Sequence, residues 1–289
     1  MEIIIAERSG LCYGVKRALN IARRTRREVT GPVSTLGDLI HNPRVVADLR
    51  ARGISSAAAA RDIEGGTVII RSHGVSPATT KALARKGLEI VDATCPIVKE
   101  IQKLVESLAR KNMEVIIVGD RDHPEIRGLI GHSRSRGIIV ENEAQARELP
   151  RRKTRAVVAQ STLDVELFER VVAALVGRTG ELSVHDTICR STRTRQTSTS
   201  ELASRVDTLF IVGGRASSNT RKLYRISKRI LPRTFFIETA DEITPGMLRG
   251  ARTIGISGGA STPPEALQEA TARIKTSFEH KIQREKSVP

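Results

Sequence analysis

The sequence predicts an α/β fold, a trefoil of three small parallel-sheet lobes related by a pseudo-threefold axis around a central cavity. Short apolar runs alternate with helical patterns along the 289 residues, which is typical of parallel α/β units. The same order of elements also recurs three times, once from each of the three cysteines, Cys12, Cys95 and Cys189. Both observations favour three repeats of one unit.

An apolar run that predicts a strand precedes each cysteine, at residues 3–5, 88–91 and 182–184. A helical pattern follows the first two cysteines, whereas the segment after Cys189 is polar and predicts a helix less clearly. Another strand then ends in a polar loop. In that loop, His41, His123 and Ser217 lie 29, 28 and 28 positions after their cysteines. This agreement in spacing supports a true repeat.

The repeats stay in register up to a last strand and polar loop, at TVIIRSHGVS, AVVAQSTLD and TIGISGGASTP. The third repeat has no strand and cysteine after it, so we expect the N-terminal strand with Cys12 to fill that place. The predicted lobes are residues 13–95, residues 96–188, and residues 189–280 completed by residues 1–12. A charged tail at 281–289 is expected to be frayed.

The composition limits the partners. The net charge is +16, which nucleic acid, an anionic small substrate or an acidic protein could each balance. Aromatic residues make up only 2%, and the basic runs are scattered, which argues against nucleic acid. No apolar run approaches the length of a membrane span. Three cysteines, an odd and low number, predict a reducing cytoplasm.

Functional loops of parallel sheets lie at the carboxyl ends of the strands, so we expect the cysteines and six polar loops to converge on one cavity. Helix capping would explain part of the polar residues, with caps at Ser76, Asn219 and Thr262. Capping accounts less well for three histidines at strand ends. Imidazoles, neutral donors and helix N-termini around one cavity favour an anion site, and two phosphoryl groups would use that many donors. The polar residues in these loops are His41, His73, His123, Glu125, Ser161, Ser217, Ser218, Asn219 and Ser261.

Three cysteines at equivalent places indicate a shared role. A single cysteine is as readily a small buried hydrophobe. A disulfide would leave one thiol over, and zinc with three cysteines and one histidine stays open, although structural zinc ligands usually come in closely spaced pairs. An iron–sulfur cluster suits soft thiolates, and a four-iron cubane held by three of them keeps one iron without a protein ligand.

Ordered motifs over residues 1 to about 278 resemble the 4-hydroxy-3-methylbut-2-enyl diphosphate reductase family. The motifs are GLCYGVKRA, DLIHN, RSHGVS, VDATCP, GDRDHPEIRG, VAQST, DTIC, SSN and GGASTP. The resemblance implies one oxygen-sensitive [4Fe-4S] cluster per chain, held by Cys12, Cys95 and Cys189, with the substrate hydroxyl on the fourth iron. It further implies that Glu125 donates a proton and that Ser161 lies near the substrate hydroxyl. The residues implied to bind the diphosphate are His41, His73, His123, Ser217, Ser218, Asn219 and Ser261.

The implied reaction removes the hydroxyl as water with two electrons and protons, at the last step of the methylerythritol phosphate route. Its products are isopentenyl and dimethylallyl diphosphate. Reduced ferredoxin or flavodoxin would supply the electrons, and such acidic carriers would suit the positive charge. The sequence departs from the family pattern at Ser161, where threonine is usual, at Ala216 for asparagine and at Leu11 for phenylalanine.

Two other functions remain open from the residues. One is an iron–sulfur dehydratase on the same scaffold, which would use the open iron without net electron transfer. The other is a basic nucleic-acid-binding protein whose cysteines are structural. A requirement for reductant separates the first from the reductase, and salt-dependent binding of nucleic acid by iron-free protein would favour the second.

Overall fold

The computed structural model describes residues 2–286, with side chains as far as residue 277. Within this part of the chain, twelve strands form three four-stranded sheets in which every pairing is parallel. The strands are β1 (Glu2–Ile5), β2 (Val33–Leu36), β3 (Ile54–Ala57), β4 (Thr67–Ile70), β5 (Glu89–Asp92), β6 (Glu114–Val118), β7 (Gly137–Val140), β8 (Arg152–Ala159), β9 (Thr179–His185), β10 (Thr208–Val212), β11 (Thr234–Ile237) and β12 (Thr253–Gly258).

Helices connect successive strands, as parallel pairing requires. They are α1 (Tyr13–Glu28), α2 (Pro43–Ala51), α3 (Pro77–Arg85), α4 (Pro96–Arg110), α5 (Pro124–His132), α6 (Glu143–Glu148), α7 (Val165–Val176), α8 (Arg190–Ala203), α9 (Ser218–Ile230), α10 (Pro245–Leu248) and α11 (Pro264–Lys286). Short 3₁₀ turns at Ala60–Asp62 and Ala240–Glu242 follow β3 and β11. No described helix combines the length and the low polarity that crossing a membrane requires.

The three sheets share one strand order. It is β3-β2-β4-β5 in the first, β7-β6-β8-β9 in the second and β11-β10-β12-β1 in the third. The strand β1 therefore takes the edge position that β5 and β9 take in their own sheets, and it pairs in parallel with β12. The prediction of three parallel-sheet α/β lobes is confirmed, and the N-terminal strand lies where the repeat places it.

The chain divides into two compact units. The terminal unit comprises the described residues of Met1–Cys12, His41–Pro43 and Arg193–Pro289, and it contains the sheet with β1. The central unit comprises Tyr13–Ile40 and Arg44–Thr192, and it contains the other two sheets. The boundaries at 95 and 188 that separate the lobes remain a prediction.

Successive side chains of a strand point to opposite faces of its sheet. Because apolar residues occur on both faces, helices cover each sheet on both sides. On β6, Ile116 and Val118 belong to one apolar cluster, whereas Val115 and Ile117 belong to another on the opposite face. One charged group lies within the same sheet. The fully buried guanidinium of Arg155 contacts Glu114 at 2.6 Å and two backbone carbonyls. These partners compensate the cost of burying the charge.

The segment after Cys189 forms the helix α8 although its sequence lacks an apolar stripe. Apolar side chains are buried only near its end, at Leu202 and Ala203, and its other buried positions carry polar side chains: Thr192, Arg195, Gln196 and Thr199. In the terminal unit, Thr199 shares a 2.8 Å hydrogen bond with Ser257, and Arg195 donates to the carbonyl of Gly10 at 2.7 Å. The expected frayed tail, 281–289, begins inside α11, and residues 287–289 lie outside the described residues.

Candidate functional site

Each cysteine directly precedes a helix, as the repeat predicts. Cys12 precedes α1, Cys95 precedes α4 and Cys189 precedes α8. These helices have no acidic residue in their first turn, so no carboxylate competes there for the positive end of the helix dipole. The three cysteines are half-buried, and within residues 2–286 no disulfide joins them. All three thiols are therefore available as ligands.

Equivalent main-chain hydrogen bonds hold the three cysteines. Each cysteine follows an edge strand: β1, β5 or β9. Its N–H donates to the carbonyl of the second residue after the strand that pairs with that edge strand, which is β12, β4 or β8. The bonds are Cys12 to Ala260 (3.0 Å), Cys95 to Ser72 (2.9 Å) and Cys189 to Ser161 (2.9 Å). The backbone thus fixes where each cysteine leaves its strand and enters its helix.

The thiol of Cys95 lies directly against the first turn of α1. A Cβ at Gly14 would be 2.6 Å from its Sγ, so only glycine allows this approach without a shift. The turn before Cys95 is held by Asp92, whose carboxylate accepts from the N–H of Thr94 at 2.8 Å and contacts Lys99 at 2.7 Å. Burial acts to raise the pKa of Asp92, but the hydrogen bonds from Lys99 and Thr94 outweigh it and lower the pKa.

Glu125 is almost completely buried at the start of α5, with 1% of its surface exposed. Its two carboxylate oxygens receive both donors of Ser161: the backbone N–H at 2.6 Å and the hydroxyl at 2.7 Å. The carbonyl of Ser161 accepts from the N–H of Cys189 and, at 3.0 Å, from the hydroxyl of Thr192. A buried acid and a cysteine are therefore connected through one residue.

Two of the predicted histidines meet in the central unit. The rings of His73 and His123 are perpendicular, with their centroids 5.2 Å apart. Nδ1 of His123 accepts a 3.2 Å hydrogen bond from the backbone N–H of Glu125, so in the neutral ring the proton is on Nε2. Nε2 is therefore the donor of the neutral His123 ring.

The terminal unit holds the other predicted polar residues. Ser217 caps α9 by accepting from the N–H of Thr220 at 3.3 Å, and Ser261 donates to the carbonyl of His41 at 3.3 Å. Ser218 and Asn219 follow in the first turn of α9. Oγ of Ser218 and Nδ2 of Asn219 are buried without a hydrogen-bond partner in the described part of the protein, and such groups are usually completed by water or a ligand.

Two of the expected caps are wrong, and one is right. Ser76 caps α3 as expected. Asn219 is not a cap, because Ser217 occupies that position. The helix α11 begins at Pro264, and the hydroxyl of Thr262 donates instead to the carbonyl of Val212 at 2.7 Å. The sequence pattern of a capping box did not reveal this alternative acceptor on β10.

Sequence reasoning did not identify the residues that align the loops. Gln160 is fully buried, accepts from the N–H of Asp120 at 3.1 Å and donates to Thr162 at 3.1 Å. It thereby joins the loop with His123 to the loop with Ser161. Thr187 fixes the segment before Cys189 by bonding both the N–H and the carbonyl of Ala159, at 2.8 and 2.6 Å. Their polar neighbours in QST and DTIC were the only available signals.

The fold and the site together define an α/β enzyme with a buried carboxylate beside a cysteine-bearing loop. A family model described as LytB protein matches residues 3–275. The chain belongs to this LytB family, which bears out the resemblance in the motifs.

Named relatives match over nearly the full chain. A 4-hydroxy-3-methylbut-2-enyl diphosphate reductase of Aquifex aeolicus is 43% identical over 278 residues, 95% of this chain and 96% of the relative. The protein of the same name from Caldanaerobacter subterraneus is 41% identical and covers 96% of this chain and 97% of its own length.

Solved structures agree. A structure described as (E)-4-hydroxy-3-methyl-but-2-enyl diphosphate reductase, the terminal enzyme of the non-mevalonate pathway, is 42% identical with a TM-score of 0.70. It covers 96% of this chain and 100% of its own. The E-1-hydroxy-2-methyl-but-2-enyl-4-diphosphate reductase of Plasmodium falciparum is 26% identical with a TM-score of 0.89, over 94% of this chain and 87% of its own.

Proposed function

We propose that this protein reduces (E)-4-hydroxy-3-methylbut-2-enyl diphosphate to isopentenyl and dimethylallyl diphosphate, the last step of the methylerythritol phosphate route. The observation that carries the proposal is the buried carboxylate of Glu125, bonded to Ser161, whose carbonyl holds the N–H of Cys189. An acid placed this way can deliver a proton beside a thiolate-bound cofactor. The names of the relatives supply the substrate.

Cys12, Cys95 and Cys189 would hold one [4Fe-4S] cluster. The residues present fit such a cluster. The three thiols are half-buried and form no disulfide, and each lies just before a helix whose first turn has no acidic residue. Gly14 leaves space for the thiol of Cys95. When bound, the cluster supplies electrons and one iron without a protein ligand that acts as a Lewis acid. Soft thiolates of this kind stay reduced in a cytoplasm, where we place the reaction.

The diphosphate would be bound by neutral donors, among them His73 and His123. The other residues proposed for this role are Ser218 and Asn219, whose buried Oγ and Nδ2 have no hydrogen-bond partner among the described residues, together with His41, Ser217 and Ser261. Completion of the buried donors of Ser218 and Asn219 by phosphate oxygens would remove an energetic cost of the ligand-free fold.

Glu125 would provide the proton that leaves with the hydroxyl as water, and Ser161 would keep the carboxyl group oriented. The reaction consumes two electrons and two protons per substrate, and the second proton is added to either end of the allylic carbons, which yields the two products. Because each turnover consumes two electrons, a separate electron donor would have to supply them. Reduced ferredoxin or flavodoxin, both acidic, would suit the net charge of +16.

A Mössbauer spectrum of anaerobically prepared, iron-57-labelled protein tests the proposal. We expect one iron in four to be distinct and to change when the allylic diphosphate is added. Turnover should then require a reductant such as dithionite, which separates a reductase from an iron–sulfur dehydratase. A Cys95→Ser variant prepared in parallel should lose the cluster. Four equivalent irons in fully loaded wild-type protein, or a spectrum that substrate leaves unchanged, would contradict the proposal.

A further inference from the structure

Arg71 is the first residue after β4, and its guanidinium packs against Gly37, where a larger residue would not fit. A Cβ at Gly37 would overlap Nη1 of Arg71 and lie 3.1 Å from its Cζ. Gly37 also has a φ of +70°, a backbone conformation that side chains disfavour. The missing side chain of Gly37 leaves space for the guanidinium, and its positive φ further disfavours any larger residue at this position.

The charge of Arg71 is not compensated by an ion pair. Its Nε is buried without a hydrogen-bond partner, and among the described residues no carboxylate lies within salt-bridge distance of it. Burial lowers the pKa of Arg71, the charge of Arg127 lowers it further, and Asp38 acts in the opposite direction. An arginine stays protonated in proteins, so the fold keeps a partly buried cation near a second cation. Such a cation is costly unless an anion binds beside it.

Arg71 belongs to the loop that carries His73. The N–H of Gly74 donates to the carbonyl of Arg71 at 3.0 Å and closes a four-residue turn that contains His73. In the same turn, Ser72 donates its hydroxyl to the carbonyl of Leu39 at 3.1 Å, which joins this loop to the one with Gly37. The backbones of Arg71 and His73 thus belong to one turn, which Ser72 joins to the neighbouring loop.

We propose that Arg71 supplies a permanent positive charge for recognition of the substrate's diphosphate, beside uncharged hydrogen-bond donors. This inference rests on the proposed function. The serine and asparagine donors offer hydrogen bonds without charge, whereas a diphosphate is strongly anionic. A fixed cation in the His73 turn balances that charge and attracts the ligand, and Gly37 is the residue that admits it.

Binding of inorganic pyrophosphate to the whole protein, measured by calorimetry at several salt concentrations, tests the inference. We expect Arg71→Gln to weaken binding by about tenfold, the loss of one charge-assisted interaction, and to flatten its salt dependence. Arg71→Lys should keep most of the salt dependence. Gly37→Ala should reproduce the loss because it displaces the guanidinium. Arg85→Gln, at an exposed position in the last turn of α3, is the matched control and should bind as wild type does.

Steady-state kinetics with dithionite separate this inference from the proposed function. Arg71→Gln should raise KM for the allylic diphosphate by about the same factor and leave kcat nearly unchanged. Unchanged KM and pyrophosphate binding in Arg71→Gln, or an equal loss in Arg85→Gln, would overturn the role of Arg71. Absence of turnover in wild-type protein with a full cluster would instead contradict the proposed function, while weaker pyrophosphate binding in Arg71→Gln would still support an anion-binding arginine.

Discussion

Ser161 gives both of its donors to one carboxylate: its N–H meets Oε1 of Glu125 at 2.6 Å and its hydroxyl meets Oε2 at 2.7 Å. The same residue accepts the N–H of Cys189 through its carbonyl. The orientation of the proposed proton donor and the position of a proposed cluster ligand are consequently set by one residue. Changes to the side chains of this pair should affect catalysis without affecting how the cysteine is held.

Glu125→Gln should stop turnover and leave the cluster in place. Glutamine is nearly the same size, but it has no proton to give, and one of its terminal atoms is a donor that would face a donor of Ser161. Loss of an acid catalyst reduces rates by roughly 10²- to 10⁴-fold. Single-turnover rates and iron content should be measured on the same preparation. Turnover at the wild-type rate would remove Glu125 from the mechanism.

Ser161→Ala and Ser161→Thr should behave differently. Alanine leaves Oε2 of Glu125 without its hydroxyl partner, which costs about 1–3 kcal/mol in a buried site and should lower kcat by roughly 10- to 100-fold. Threonine keeps the hydroxyl and should stay within a few-fold of wild type. Iron content should be unchanged in both variants because the bond to Cys189 uses the backbone carbonyl. Equal rates for alanine and threonine would show that the hydroxyl is not required.

Gly14→Ala should lower the cluster content. Its new Cβ would lie 2.6 Å from Sγ of Cys95, so either the first turn of α1 or the thiol must move. Gly31→Ala is the matched control, since a Cβ there has no neighbour within 4 Å. Iron and sulfide analysis after anaerobic reconstitution measures the effect. Full loading of Gly14→Ala would mean that the cluster tolerates a displaced Cys95.

Asp207 should stabilise the fold at neutral pH and lose this effect in acid. Hydrogen bonds from the N–H groups of Thr253 and Arg252, at 2.8 and 2.7 Å, and from the Thr253 hydroxyl hold the pKa of Asp207 below its ordinary value. Since the folded state binds this proton less tightly than the unfolded chain does, the contribution is complete above about pH 4 and disappears as the pH falls through the folded pKa.

Asp207→Asn should therefore lower the urea midpoint at pH 7, and the difference from wild type should shrink as the pH falls below about 4. Asp241→Asn, at an exposed position in the 3₁₀ turn after β11, is the control for loss of a surface charge. If the difference in urea midpoint between wild type and Asp207→Asn were the same at pH 7 and below about pH 4, the stabilisation would not depend on the charge of the Asp207 carboxylate.

The repeats made the fold largely predictable. Nearly equal spacing from the cysteines to His41, His123 and Ser217 placed the elements. The repeat also lacked a strand for the third sheet, which β1 supplies. Hydrophobic periodicity could not reveal α8, because most buried positions of this helix carry polar side chains, among them Thr199, whose partner Ser257 is distant in sequence.

The site was predictable in its residues but not in its contacts. The motifs identified Glu125 and Ser161, yet the bonds between them depend on how β6 and β8 lie side by side. The space that Gly14 leaves for Cys95 and that Gly37 leaves for Arg71 involves pairs more than 30 positions apart, which no local pattern reports. The cap expected at Thr262 failed for the same reason, since its acceptor is on another strand.

The tethers that hold the cysteines are made by carbonyl groups of Ser72, Ser161 and Ala260, three equivalent positions with different surroundings. Because the backbone performs the shared task, the side chains at these positions can differ between the repeats. Ala260 has no polar side chain, Ser72 donates to the carbonyl of Leu39 in a neighbouring loop, and Ser161 donates to Glu125. Threefold architecture can thus host chemistry that only one of its thirds performs.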